Sequence, residues 1–227
     1  MIKSKTDYLY YLEADRIALS KPKKESMPFS LSVKSFLFPD YIWKFQKTLR
    51  KLEFLKNKNK NMFEKITYFF VLKRYYKISY KLGFTIPVNV FGPGLSIAHY
   101  GTIIINAGAK IGANCRIHAD VNIGTQAGFS DKAPVLGDNI YIAPGAKIFG
   151  QISIPNNTAI GANAVVNKSF DSENTIIGGV PAKVISENID IDDMLIRATT
   201  IIESGLSKKE LCGMPAREIK QLLKQNK

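Results

Sequence analysis

The 227-residue chain has only two cysteines, Cys115 and Cys212, and only two histidines, His99 and His118. Two cysteines cannot build a disulfide framework, so a reducing compartment is the default setting. Two histidines cannot fill the three-histidine shell of a zinc hydratase, and no metal site is expected. Long apolar runs are missing too. The longest, 69–72, is far short of the roughly 20 residues that cross a bilayer. No apolar run follows residues 1–5, so no signal peptide is expected and the protein reads as soluble and cytoplasmic. Acidic residues are scarce, 19 against 32 Lys and Arg, which leaves a net charge of +13. Much of that surplus is local: residues 44–81 hold twelve Lys and Arg against Glu53 and Glu64.

What the chain does have is a six-residue rhythm across residues 86–185. Ile105, Ile111, Ile117 and Ile123 form one run, and Leu136, Ile142, Ile148, Ile154, Ile160 and Val166 a second. Small residues stand next in line at Gly112, Gly124, Gly137, Ala143 and Gly161. A period of six fits neither a helix nor a two-faced strand. It fits one short strand and one turn per hexad, with three hexads closing a triangular coil whose turns stack about 4.8 Å apart. The expected fold is mainly β, a parallel β-helix of about five coils with a helical N-terminal region and short C-terminal helices. Residues 1–83 are assigned to the helical basic region, 84–185 to the β-helix and 186–227 to the tail. The rhythm breaks once, at 124–134, which reads as a loop leaving the coil next to the two histidines. Such a loop on a rigid scaffold is a usual place for function.

Ahead of the coil, residues 7–19 read as a helix with Asp7 as N-cap. Residues 21–35 read as an irregular connection, 41–55 and 62–82 as two further helices, and Gly83 as a C-terminal stop. The last helix is expected near 207–223. For the basic-aromatic pair of helices over 44–81, the plain reading is a cap on the coil with solvated charges. Peripheral membrane association is the second reading, because cations attract anionic lipid and aromatics favour its interface. No nucleic-acid motif accompanies the charge, so no nucleic-acid partner is expected.

The segments GPGLSIAHYGTIIINAGAKIGANC, APVLGDNIYIAPGAKIFG, IGANAVVNKS and IGGVPAKVI resemble the serine acetyltransferase branch of the left-handed β-helix acyltransferases. The resemblance covers nearly all of 86–185. It implies a left-handed coil, an exception to the right-handed crossover rule. It also implies acetyl-CoA as donor and a homotrimer, with hexamers as a further option, holding active sites between subunits. His99 stands where that family keeps a catalytic histidine. His118 follows nineteen positions later, one coil plus one residue, so the two are expected side by side in adjacent coils. An imidazole titrates near neutrality and can take a proton from an acceptor hydroxyl attacking a thioester. His99 is therefore the expected general base. His118 is the expected second catalytic or substrate-binding group, with Asp120 to orient it. By resemblance, Ala143, Pro144, Gly145, Gly161 and Ala162 line a pantetheine channel, and Lys168 and Lys183 meet the coenzyme phosphates.

Three positions depart from the resemblance. Ala133 stands for the family's second histidine, Ala98 for the aspartate before the first, and Phe84 for the aspartate that orients it. A small amino acid needs charged partners, and these carboxylates are gone. The pattern looks closer to relatives among the surface-polysaccharide acetyltransferases, and that resemblance implies, as the leading expectation, O-acetylation of a sugar hydroxyl in a capsule, O-antigen or exopolysaccharide unit. Serine O-acetylation in cysteine biosynthesis, N-acetylation of an amino-sugar nucleotide and a non-catalytic β-helix scaffold are the alternatives.

Overall fold

The computed structural model describes residues 1–22 and 37–205. Most of the expected connection at 21–35 and the whole expected helix at 207–223 lie outside the described residues. Helix α1 (Lys5–Ala18) starts two residues before the expected point, because Ser4 and not Asp7 is its N-cap. The Ser4 hydroxyl accepts the Asp7 N–H, and the Asp7 carboxylate accepts the N–H groups of Lys3 and Ser4. Those bonds hold the Asp7 carboxyl below its ordinary value. Asp7 is thus the return half of a capping box. Helix α2 (Tyr41–Asn57) is capped by the Asp40 carboxylate. Helix α3 (Met62–Leu82) begins with a capping box between Asn61 and Glu64. It stops at Gly83, whose φ of 78° closes the last turn.

The chain then winds through thirteen strands of two to four residues on three faces. The first face stacks β1 (Phe84–Thr85), β3 (Ile103–Ile105), β6 (Val121–Gly124), β9 (Lys147–Phe149) and β12 (Val165–Val166). On the second lie β4 (Lys110–Ile111), β7 (Val135–Leu136) and β10 (Ser153–Ile154). The third carries β2 (Ser96–Ile97), β5 (Arg116–Ile117), β8 (Tyr141–Ile142), β11 (Thr158–Ile160) and β13 (Thr175–Gly178). Pairing within these faces is parallel. Finally β14 (Lys183–Ser186) folds back antiparallel on β13 and covers the end of the third face.

Register explains the rhythm. Ile97, Ile117, Ile142, Ile160 and Ile177 stand one above another on the third face, all essentially buried. Ile105, Ile123, Ile148 and Val166 do the same on the first, and Ile111, Leu136 and Ile154 on the second. Each fully buried aliphatic side chain stabilises the coil by about 1.5–3 kcal/mol. A plain coil spans the eighteen residues from Ile142 to Ile160. The coil from Ile117 to Ile142 is longer because the 124–134 loop is inserted in it. Backbone packing at the corners explains the small residue after the aliphatic one. A Cβ on Gly112 would fall 2.6 Å from the Gly137 carbonyl oxygen, which no side chain tolerates.

The helices share the coil's core. Phe45, Leu49 and Leu52 of α2 and Tyr75, Ile78 and Leu82 of α3 pack with Phe84, Ile86 and Leu95. Beside them Arg50 is wholly buried, bonded to Asp15 of α1, to Glu53 and to the carbonyls of Phe91 and Gly92. Burial works against its charge. The two carboxylates overcome this and hold the guanidinium above its ordinary pKa.

Candidate active site

The corner joining the third face to the first is where both histidines stand. In later coils three residues turn it: His118, Ala119 and Asp120 after Ile117, then Ala143, Pro144 and Gly145 after Ile142, then Gly161, Ala162 and Asn163 after Ile160. The same corner in the first coil uses five, Ala98 to Thr102, between Ile97 and Ile103. The extra pair pushes His99 and Tyr100 outward, and both are exposed. His118 is buried. The ring centroids lie 6.0 Å apart with planes at 47°.

The expected proximity is therefore present, but by a different register. The coil here is twenty residues, since Ile97 pairs with Ile117. Ala98, whose N–H bonds the Ile117 carbonyl, stacks on His118, and the bulge swings His99 back over its neighbour.

His118 Nδ1 lies 2.9 Å from the Ile142 carbonyl oxygen. A carbonyl only accepts, so Nδ1 carries the hydrogen and Nε2 of the neutral ring keeps its lone pair. The Tyr141 ring lies 5.0 Å away. Burial pushes the His118 pKa below its ordinary value, against the Ile142 bond, and the charges of Arg116 and His99 push the same way as burial. The neutral ring is the resting form.

Asp120 does not orient either ring. It occupies the left-handed turn position, φ 64°, and its carboxylate lies 3.7 Å from the Lys147 ammonium, which also donates to the Asp120 carbonyl. The Ile142 carbonyl does the orienting expected of Asp120. Among the described residues no carboxylate hydrogen-bonds to either histidine. Phe84, at the family's aspartate position, is buried with its ring 5.1 Å from Phe45.

From His118 the corner continues as a file of small residues. Ala143 bonds the Ile160 carbonyl and Gly161 bonds the Ile177 carbonyl, which sets Ala143, Gly161 and Gly178 in one column. Pro144 and Ala162 stand beside them, exposed. The Gly145 N–H bonds the Ala119 carbonyl, so Gly145 links this corner to the histidine coil. Lys183 pairs with Gly178 at the end of the column. Lys168 does not join it: it follows β12 at the corner between the first and second faces, with its ammonium 5.5 Å from the Phe170 ring. The 124–134 loop also leaves from that other corner, at the far end of β6 from His118, and not beside the histidines. Ala133, near its end, is buried. Sequence reasoning missed Tyr141 and the Ile142 carbonyl. Assigning the loop's extra residues to one coil would have stacked them on Arg116 and Ile117.

No protein-family model matches the chain. A serine acetyltransferase of Staphylococcus aureus is 37% identical over 103 residues, 45% of this chain and 48% of that protein. One from Staphylococcus xylosus is 37% identical over 103 residues, covering 45% and 47%. The chain spans about half the length of the curated relatives it matches. Among solved structures, the serine acetyltransferase of Vibrio cholerae superposes with a TM-score of 0.62 at 20% identity, covering 82% of this chain and 68% of that one. That of Brucella abortus in complex with coenzyme A gives 0.60 at 24% identity, covering 81% and 69%. The chain has the left-handed β-helix fold of the serine acetyltransferases. The winding direction, which a period of six leaves open, follows from that likeness.

Proposed function

We propose that the chain is an acetyl-CoA-dependent O-acetyltransferase whose reaction centre is the His99–His118 corner. One observation carries this: an exposed imidazole stands 6.0 Å from a buried, oriented one at the head of a column of small residues. The coenzyme A complex of a similar fold supports the donor. The pantetheine arm would lie along Ala143, Gly161 and Gly178, where no large side chain obstructs it, with Lys183 at the column's end for a phosphate. His99, open to the acceptor, takes the hydroxyl proton as the oxygen bonds to the thioester carbonyl carbon. The C–S bond then breaks, the proton passes to the leaving thiolate, and free coenzyme A thiol departs. His118, fixed through Nδ1 and neutral, is the positioning group behind it.

Two acceptors stand against each other. The names of the relatives favour serine, and they support that reading more directly than any other. The residues favour a sugar hydroxyl: Phe84, Ala98 and Ala133 stand where the family keeps two carboxylates and an imidazole, so those three groups are not there to hold an amino acid. We infer a saccharide acceptor, with serine as the second reading, and a homotrimer by likeness to the family. A thiol-release assay with acetyl-CoA decides between them. Turnover with glycans or nucleotide sugars and none with serine supports the saccharide; robust turnover with serine alone refutes it.

A further inference from the structure

We propose that the outward face of α3 docks in the plane of a lipid surface bearing anionic headgroups. The proposal stands on this helix alone and does not rest on acyl transfer.

One side of α3 packs on the rest of the chain, through Tyr68, Val71, Leu72, Tyr75, Ile78 and Leu82. On the other side Met62, Phe63, Ile66, Phe69, Phe70, Tyr76 and Tyr80 are 51–83% exposed. Met62, Ile66, Phe69, Lys73, Lys77 and Tyr80 recur at helical spacing, so they form one stripe along the helix. The stripe is segregated along its length. The first ten residues of the helix put Met62, Phe63, Ile66, Phe69 and Phe70 on the exposed side, with Lys65 the one cation among them. Its second half carries Lys73, Arg74, Lys77 and Lys81 among tyrosines. Lys81 and Lys44 of α2 both stand over the Tyr41 ring, which extends the cationic end onto the next helix. An apolar tip of this size is not left open to water without a use.

Charge selects the occupant. The single acid of α3, Glu64, lies off this face, where it caps Asn61 and pairs with Lys58. A second copy presenting the same face would therefore bring cations to cations with no acid between them. A polyanion such as nucleic acid would suit the basic half and leave the phenylalanine tip idle. An anionic bilayer surface suits both halves: Phe and Met enter the acyl boundary, Tyr sits at headgroup depth and Lys and Arg meet the phosphates. No described helix is long and apolar enough to cross a membrane, so the mode is docking in the plane.

The test is sedimentation of the full chain with vesicles of phosphatidylcholine, alone and with added phosphatidylglycerol, at low and high salt. The companions are Lys73→Glu/Lys77→Glu and Phe69→Ser/Phe70→Ser, all at exposed positions, with folding verified by circular dichroism. Binding to the phosphatidylglycerol vesicles at low salt is expected to exceed that to phosphatidylcholine by about tenfold or more. High salt or the charge reversal should abolish the difference, and the serine pair should weaken binding at either salt. The proposal is overturned if the wild type leaves these vesicles unbound at low salt, or if the charge-reversed chain binds as the wild type does. It is equally overturned if the serine pair changes the mass of the assembly in velocity sedimentation, which makes the face a contact between copies. Tighter binding to duplex DNA than to vesicles, unaffected by the serine pair, also overturns it.

Discussion

Replacing Arg50 with methionine should strongly destabilise the fold without touching the histidine corner. The guanidinium is 2.8 and 3.1 Å from the Asp15 carboxylate, 3.0 Å from Glu53, and 3.0 and 2.6 Å from the carbonyls of Phe91 and Gly92. The carboxylates in turn accept the N–H groups of Gly94, Leu95 and Asn89, so the cluster joins α1, α2 and the first coil. Methionine fills the volume but leaves two buried carboxylates without a cation and two carbonyls without a donor. Breaking a buried pair from one side costs about 3–5 kcal/mol. At about 2–4 °C per kcal/mol for a chain of this size, the melting temperature should fall by roughly 6–20 °C. Thermal unfolding followed by circular dichroism, with a urea midpoint as check, measures it. The triple change Arg50→Met, Asp15→Leu, Glu53→Leu should be milder than Arg50→Met, because it removes the stranded charges too. A loss under about 1 kcal/mol for Arg50→Met, or a triple variant worse than the single one, would mean that the buried carboxylates do not depend on the guanidinium.

Other outcomes follow from the corner. His118→Asn should lower kcat by about tenfold to a hundredfold while leaving the KM for acetyl-CoA within about twofold, and should move the pH–rate profile, since it removes the ring beside the base. In the wild type, burial depresses the His118 pKa in the folded state, so the unfolded chain binds the extra proton first. Its stability contribution is thus whole above the ordinary histidine value and declines as pH falls through the lowered folded value. A urea-midpoint series against pH should show that decline, and His118→Phe should lack it. At Gly161 a Cβ would meet only the Ile177 oxygen at 3.4 Å and Gly178 Cα at 3.6 Å, so Gly161→Ala should fold normally. Gly161→Leu should raise the KM for acetyl-CoA by about tenfold to a hundredfold with an unchanged melting temperature. An unaltered KM would remove the column from the donor path.

The coil was legible because each hexad sends one aliphatic side chain inward, and no other architecture needs that spacing. The helices were legible for similar reasons, and Gly83 marked the end of α3 to the residue. Site details were harder to read. The nineteen-residue interval suggested adjacent histidines by comparison with an eighteen-residue coil, yet this coil has twenty. Two residues extruded at one corner leave no periodic mark. Asp120 looked like a partner because it is close in sequence, but the left-handed turn aims it at Lys147. The loop was expected beside the histidines because corners cannot be told apart until strands are assigned to faces. Arg50 and Glu53 read as solvated charges of the basic helices, since nothing in a helical stripe announces that a cation beside Leu49 faces inward.

In the proposed reaction the His99 imidazole activates a hydroxyl toward acetyl-CoA. The direct measurement is the rate of free-thiol release from acetyl-CoA by the wild type and by His99→Ala, with saccharide and serine acceptors in parallel. The wild type should show acceptor-dependent release and His99→Ala a loss of about a hundredfold to ten-thousandfold, with the melting temperature unchanged. Equal rates for the two proteins with every acceptor would contradict it and leave the coil as a scaffold.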